Sequence, residues 1–187
     1  MKTSQELLSS VLKTTQMGQV GIRSVLDTTL NPELRQALVQ QLKEYDGIET
    51  GNEIRQLGHE YGAVTGRERR CGWIDLVALR YAIMINGVTK LIMMKSDVLD
   101  GFDTIKACVA YKCNGEETRD FPFDIEKGIE PVYQELKGWK TDMKRMTSEE
   151  QFPQAFKDYV DFLEKELETP ITIISIGPDR EQTIIRA

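Results

Sequence analysis

Three short stretches of the sequence combine residue types that could bind a charged or hydrogen-bonding small molecule. The first is residues 62–70, Gly-Ala-Val-Thr-Gly-Arg-Glu-Arg-Arg, where two glycines permit a tight loop with exposed backbone amides. The three arginines of this stretch carry planar, permanently charged guanidinium groups that suit a phosphate or a carboxylate. A solvated basic loop explains the same residues equally well, and the pattern alone does not separate the two interpretations.

The second and third stretches each lie at the end of a short apolar run. Residues 95–97, Lys-Ser-Asp, follow the run 89–94, and residues 175–177, Ser-Ile-Gly, close the run 171–176. Because ligands bind beyond the carboxyl ends of the strands in open α/β sheets, we expect the two stretches to share one site. A carboxylate at such an end can accept two N–H bonds from the edge of guanine. The alternatives are a surface loop at residues 95–97 and a plain chain reversal at residues 175–180.

The composition of the 187-residue chain is globular, with 40% hydrophobic and 29% charged residues. A formal net charge of −6 argues against a nucleic-acid partner. The longest purely apolar runs have only five residues, 81–85 and 107–111, far short of the roughly 20 that a membrane helix needs, so we expect no membrane partner. Three cysteines without a CxxC pair, and no signal-peptide core, predict reduced thiols and a cytoplasmic location. The lone histidine, His59, is assigned no catalytic role.

The elements that must position these stretches differ between the two parts of the chain. Apolar residues recur every three or four positions in residues 1–48, and Asn31-Pro32-Glu33 is a helix-start signal, so this part predicts an α-helical hairpin that packs on itself or on a partner. The elements predicted after it are helices over residues 72–86 and 152–167 and strands over residues 89–94, 105–111, 171–176 and 182–186. Helices that alternate with short apolar strands favour a layered α/β fold.

Taken in order along the chain, these strings resemble the adenylosuccinate synthetase family. The strings that carry the resemblance are residues 58–73 (GHEYGAVTGRERRCGW), 75–82 (DLVALRYA), 95–101 (KSDVLDG), 108–111 (CVAY), 131–133 (PVY), 138–139 (GW) and 177–183 (GPDREQT). The resemblance runs from about residue 49 to the C-terminus and leaves residues 1–48 unmatched. It therefore predicts two parts, a helical hairpin over residues 1–48 and a synthetase-like C-terminal portion over residues 49–187.

The resemblance implies an α/β nucleotide-binding fold and a ligase of purine nucleotide synthesis. Such enzymes use GTP and Mg²⁺ to phosphorylate the 6-oxygen of inosine monophosphate, and the amine of L-aspartate then displaces that phosphate. By resemblance Thr65 and Arg67 contact aspartate, Arg67 also approaches inosine monophosphate, and a homo-oligomer is allowed. The implied loop for aspartate and inosine monophosphate is Ala63, Val64, Thr65, Gly66, Arg67, Glu68 and Arg69, and the implied GTP site is Arg69, Lys95, Ser96, Asp97, Ser175, Ile176 and Gly177.

The sequence departs from the family pattern in three places. Val64 stands where a second threonine is common, and Met94-Lys95-Ser96-Asp97 replaces the usual Thr-Lys-Leu-Asp. The family's glycine-rich phosphate loop, with its catalytic aspartate, and its general-acid histidine belong to an N-terminal part, and no Gly-Asp-Glu-Gly-Lys-Gly-like string occurs here. We therefore assign no catalytic residue and no magnesium ligand to this chain. Two hypotheses follow, an incomplete synthetase chain that carries guanine- and aspartate-site residues, and a non-catalytic remnant or fusion whose hairpin is an interaction module.

Overall fold

The computed structural model of the chain describes residues 47–123 and 129–186. The chain forms two compact units, Met1–Gly72 and Trp73–Ala187. The hairpin predicted for residues 1–48 lies outside the described residues except for its last two positions, which are helical. The predicted boundary after residue 48 therefore stays a prediction.

The described part of the first unit is a helix followed by a loop that folds back on it. Helix α1, residues 47–57, passes so close to the end of the loop that a Cβ at Gly51 would collide with the carbonyl oxygen of Cys71. The buried Arg55 donates from Nη1 to the carbonyl oxygen of Arg69 at 3.3 Å and from Nη2 to the side chain of Asn52. These contacts fix the loop to the helix.

The second unit contains two sheets and two longer helices in its described residues. Its elements are β1 (Ile74–Asp75), α2 (Leu76–Asn86), β2 (Leu91–Met93), β3 (Thr104–Cys113), β4 (Glu116–Thr118), β5 (Ile129–Lys137), α3 (Gln154–Leu167), β6 (Ile171–Ser175) and β7 (Thr183–Ile185). In one sheet β3 pairs with β1 in parallel and with β4 and β5 antiparallel. In the other, β6 pairs with β2 in parallel and with β7 antiparallel. The predicted α/β class is confirmed.

Helix α3 joins the two sheets into one hydrophobic core. The helix predicted over residues 152–167 is confirmed from Gln154 onward, and the apolar side chains that it buries recur at helical spacing, namely Phe156, Tyr159, Val160, Leu163 and Leu167. They belong to the same cluster as Ile105 of β3, Ile174 of β6 and Leu76 of α2. This core holds the carboxyl ends of β2 and β6 in place, and those ends carry two of the stretches singled out in the sequence.

Two features of the second unit differ from the prediction. The helix expected over residues 72–86 begins only at Leu76, because Ile74 and Asp75 pair with Ala107 and Cys108 of β3. Its end is as expected, with Gly87 in the left-handed conformation at φ 60°. Strand β5 was not predicted because most of its side chains are exposed, so its sequence carries no apolar run.

The start of α2 supplies a stability prediction. The Asp75 carboxylate accepts hydrogen bonds from the backbone N–H groups of Val77 at 3.0 Å and Ala78 at 3.1 Å, and also from the Tyr111 hydroxyl. We expect Asp75→Ala to lower the free energy of unfolding by about 1–2 kcal/mol, because a helix cap is lost and the hydroxyl loses its partner. Urea denaturation measures this, and Tyr111→Phe isolates the hydroxyl. A cost for Asp75→Ala no greater than that for Tyr111→Phe would contradict the capping role.

Candidate functional site

The stretches after β2 and β6 lie side by side in the structure. The strands are adjacent and parallel, with Met93 opposite Ile174, so both stretches leave the same edge of the sheet. The buried Ser96 hydroxyl donates to the carbonyl oxygen of Ser175 at 2.7 Å. Ser175 in turn donates from Oγ to the carbonyl oxygen of Gly177 at 2.9 Å. The sheet thus brings the two predicted halves of the guanine site together.

A tight turn after β2 sets the position of Asp97. Lys95 has a left-handed backbone at φ 58° and opens a 3-10 turn, Ser96–Leu99, in which the Val98 N–H donates to the Lys95 carbonyl at 3.2 Å. The Asp97 side chain is only 15% exposed, and its Oδ2 lies 3.8 Å from the Lys144 ammonium. A partly buried carboxylate with a cation beside it therefore stands at the strand edge.

The segment that carries Lys144 is fastened to this turn by Asp100. The Asp100 carboxylate accepts hydrogen bonds from Trp139 Nε1 at 2.7 Å and from the Met143 N–H at 3.2 Å. Burial raises the pKa of Asp100 above its ordinary value, although these two hydrogen bonds act in the opposite direction. Met143 itself is fully buried in the core.

Gln182 connects the segment after β6 to the segment that carries Lys144. Its side-chain amide donates to the Lys144 carbonyl at 3.1 Å and accepts from the Asp179 N–H at 2.9 Å, while its backbone carbonyl accepts from the Ile176 N–H at 2.9 Å. A Cβ at Gly177 would collide with this side chain. A larger residue at position 177 would therefore displace the Gln182 amide from its hydrogen bonds with Lys144 and Asp179.

The basic loop of the first unit is a tight, exposed turn. Tyr61 and Glu68 form an antiparallel bridge, and the Gly62 N–H donates to the Arg67 carbonyl at 2.8 Å. Gly66 adopts the left-handed conformation at φ 64°, which its lack of a Cβ permits. The predicted loop residues are all exposed, and they are Ala63, Val64, Thr65, Gly66, Arg67, Glu68 and Arg69.

The two arginines assigned to this loop differ in their partners. Arg69 Nη1 lies 2.8 Å from Glu60 Oε2, so an ion pair already engages its guanidinium. Arg67 donates only its backbone N–H, to Thr65 Oγ1 at 3.3 Å, and its guanidinium has no ion-pair partner within residues 47–123 and 129–186. The exposed Arg67 guanidinium can therefore bind a carboxylate or a phosphate, to which it would donate hydrogen bonds.

Sequence reasoning singled out neither Lys144 nor Gln182 as a site residue. Gln182 stood in one of the quoted strings, 177–183, but its type carried no chemical signal. Lys144 is a lysine in a polar stretch, and only its contact with Asp97 distinguishes it. The sequence contained no spacing that could have revealed either residue.

Clusters of potential metal ligands and long apolar helices are both absent from the described residues. Within residues 47–123 and 129–186, no three histidine, cysteine or acidic side chains lie close enough together to hold a metal ion. No helix in these ranges is both long and apolar enough to cross a membrane. Cys71, Cys108 and Cys113 are free, and burial raises the pKa of the Cys108 thiol to about 11.

Comparison with known proteins decides the family. A family model described as adenylosuccinate synthetase matches residues 7–184. The chain belongs to the adenylosuccinate synthetase family. The resemblance seen in the sequence starts at about residue 49. The family model extends the match to residue 7 and so includes most of the part that the sequence strings leave unmatched.

Individual relatives match a shorter part of the chain. Adenylosuccinate synthetases of Phocaeicola vulgatus and Parabacteroides distasonis are 75% and 71% identical over 138 residues, which are 74% of this chain and 33% of each relative. A solved structure, fully ligated adenylosuccinate synthetase from Plasmodium falciparum, has a TM-score of 0.70 and 37% identity over 74% of this chain and 34% of that one. The chain thus spans about a third of the length of the family members it matches.

Proposed function

We propose that the second unit carries the guanine-base site of an adenylosuccinate synthetase, which joins L-aspartate to inosine monophosphate with GTP. The observation that supports this most strongly is the hydrogen bond from Ser96 Oγ to the Ser175 carbonyl, 2.7 Å long. It joins the ends of two parallel strands, which is where α/β sheets bind nucleotides. The residues that by resemblance would contact guanine, 95–97 and 175–177, lie at these two ends.

The proposed contacts follow from the hydrogen-bonding edge of guanine. Asp97 accepts from the N1–H and the 2-amino group, while the Lys95 stem lies over the base and the backbone of residues 175–177 faces its other side. The side chain of Ile176 is fully buried in the core, so it does not contact the base. A carboxylate has no donor to offer the unprotonated N1 of adenine, so the same group rejects ATP. Sites that hydrogen-bond a substrate N–H discriminate strongly against analogues that lack it, because their buried polar groups are left unpaired.

The loop of the first unit is proposed to bind the carboxylates of L-aspartate. Arg67 supplies an exposed guanidinium without an ion pair in the described ranges, and the Thr65 hydroxyl lies within the same turn. The planar fork of arginine fits a carboxylate with two parallel hydrogen bonds. Arg67 is also proposed to approach inosine monophosphate and Arg69 to approach GTP, while Ala63, Val64, Gly66 and Glu68 complete the turn.

The family implies Mg²⁺ as well as GTP. Mg²⁺ is usually bound by one or two carboxylates together with substrate phosphates. Residues 47–123 and 129–186 contain no group of three or more histidine, cysteine or acidic side chains that could hold a metal ion by themselves. We assign no magnesium ligand here and derive no step through the metal.

For location we propose the cytoplasm, since three free cysteines suit a reducing compartment. The alternative of a non-catalytic fusion with an interaction module over residues 1–48 is not favoured, because the family model already matches from residue 7. Self-association stays a prediction.

A series of nucleoside triphosphates that differ only in the base tests the proposed base site. We expect calorimetric titration of the 187-residue chain to give affinities in the order GTP, ITP, ATP. ITP keeps N1–H but lacks the 2-amino group, so it loses one hydrogen bond to a charged acceptor, worth about tenfold or more in affinity. ATP should bind no more tightly than a ribose triphosphate without a base, which serves as the control. Equal affinities for GTP and ATP would refute a guanine site.

A further inference from the structure

The second unit places the side-chain ammonium of a lysine, Lys144, beside the proposed base site. The strings that carry the family resemblance do not include this lysine. The Lys144 ammonium lies 3.8 Å from Asp97 Oδ2, close enough for an ion pair but beyond hydrogen-bond distance. Its N–H groups are therefore not taken up by this carboxylate. The side chain is 48% exposed, so it can still reach a molecule that enters the site.

The backbone on both sides of the Lys144 side chain is fixed. On one side the preceding N–H group, that of Met143, donates to Asp100, only three positions beyond Asp97. On the other side the Lys144 carbonyl accepts from the Gln182 amide at 3.1 Å. The position of Lys144 beside Asp97 is thus held from the turn after β2 and from the segment after β6, the two segments that form the base site.

The Lys144–Asp97 pair presents one donor next to two acceptors. The edge of guanine presents the complementary order, with the O6 acceptor followed by the N1–H and 2-amino donors. We propose that Lys144 is a specificity-determining residue that donates to O6 of the guanine base while Asp97 accepts from the other two groups. This inference rests on the proposed function and adds a third contact to the guanine edge.

Replacement of O6 by sulfur tests the proposed contact directly. The probe is 6-thio-GTP, which keeps both donors to Asp97 but carries a poor acceptor in place of O6. We expect the preference of the full chain for GTP over 6-thio-GTP to fall about threefold to tenfold in Lys144→Met, a range reduced for the partial exposure of the side chain. Any effect of the larger sulfur atom is common to both proteins and cancels in this comparison.

Control variants separate the role of Lys144 from its general charge. Lys144→Arg keeps a donor and should retain most of the preference. Lys140→Met removes a cation four positions earlier that pairs with Asp103, and it should leave the preference unchanged. Asp97→Asn should weaken GTP and 6-thio-GTP alike.

Two failures of the experiment have different meanings. If the wild-type chain binds GTP, and Asp97→Asn weakens that binding, an unchanged preference in Lys144→Met overturns the role of Lys144 alone. If the wild-type chain shows no binding of GTP above that of ATP, the guanine site itself is refuted, and the inference about Lys144 falls with it.

Discussion

Asp97→Asn is expected to weaken binding of GTP by about tenfold to a hundredfold and to strengthen binding of XTP. The Asp97 carboxylate is mostly buried, so loss of its charge removes a hydrogen-bond acceptor worth about 1.5–3 kcal/mol. The asparagine amide also turns its N–H groups towards the 2-amino group of guanine, which is itself a donor. Xanthine has an oxygen at that position and accepts the same N–H. Calorimetric titration of the wild type and of Asp97→Asn with GTP and XTP measures how the ratio of the two affinities changes.

A second aspartate provides the matched control for this experiment. Asp103 is exposed and pairs with Lys140, so Asp103→Asn removes the same charge at a position to which no contact with the base is assigned. Its affinities for GTP and XTP should equal those of the wild type. If both variants lose GTP affinity to the same extent, the effect reflects net charge, and Asp97 does not read the base.

The adjacency of the two halves of the site could be predicted because it depends on a rule of sheet topology. Two apolar runs followed by polar residues become parallel neighbours, β2 and β6, and their carboxyl ends must then share an edge. The stripe of α3 was also predictable, since apolar residues at helical spacing bury one face. Both predictions rest on periodicities that the sequence shows directly.

The parts that could not be predicted depend on contacts between distant segments. Ile74 and Asp75 leave the helical pattern because β3, some thirty residues later, offers backbone partners that a sequence does not display. Strand β5 has mostly exposed side chains, so the pairing of its backbone with β3 and not an apolar run makes it a strand. The position of Lys144 beside Asp97 depends on two hydrogen bonds that the sequence does not display, from the Met143 N–H to Asp100 and from the Gln182 amide to the Lys144 carbonyl.

The core beneath the base site leads to the largest expected effect on stability. Phe156 of α3 is fully buried and packs edge-on against Trp139, at 4.7 Å between ring centroids, and against Phe152, at 4.9 Å. Trp139 in turn donates to Asp100, which anchors the segment of Lys144. The ring of Phe156 therefore supports both the contact of α3 with the sheets and the segment that borders the site.

Phe156→Ala is expected to lower the free energy of unfolding by about 3–5 kcal/mol, because it removes a buried ring and leaves a cavity. Phe123→Ala is the matched control, since the Phe123 side chain is fully exposed, and its cost should stay within about 0.5 kcal/mol. Urea denaturation, monitored by tryptophan fluorescence, gives the change in the free energy of unfolding for both variants. Trp139 lies against Phe156 and so reports on the site of the change. Equal costs for the two variants would show that α3 does not pack on the sheets as described. A large cost for Phe156→Ala alone, with a lower affinity for GTP below the transition, would show that the core holds the base site in its binding geometry.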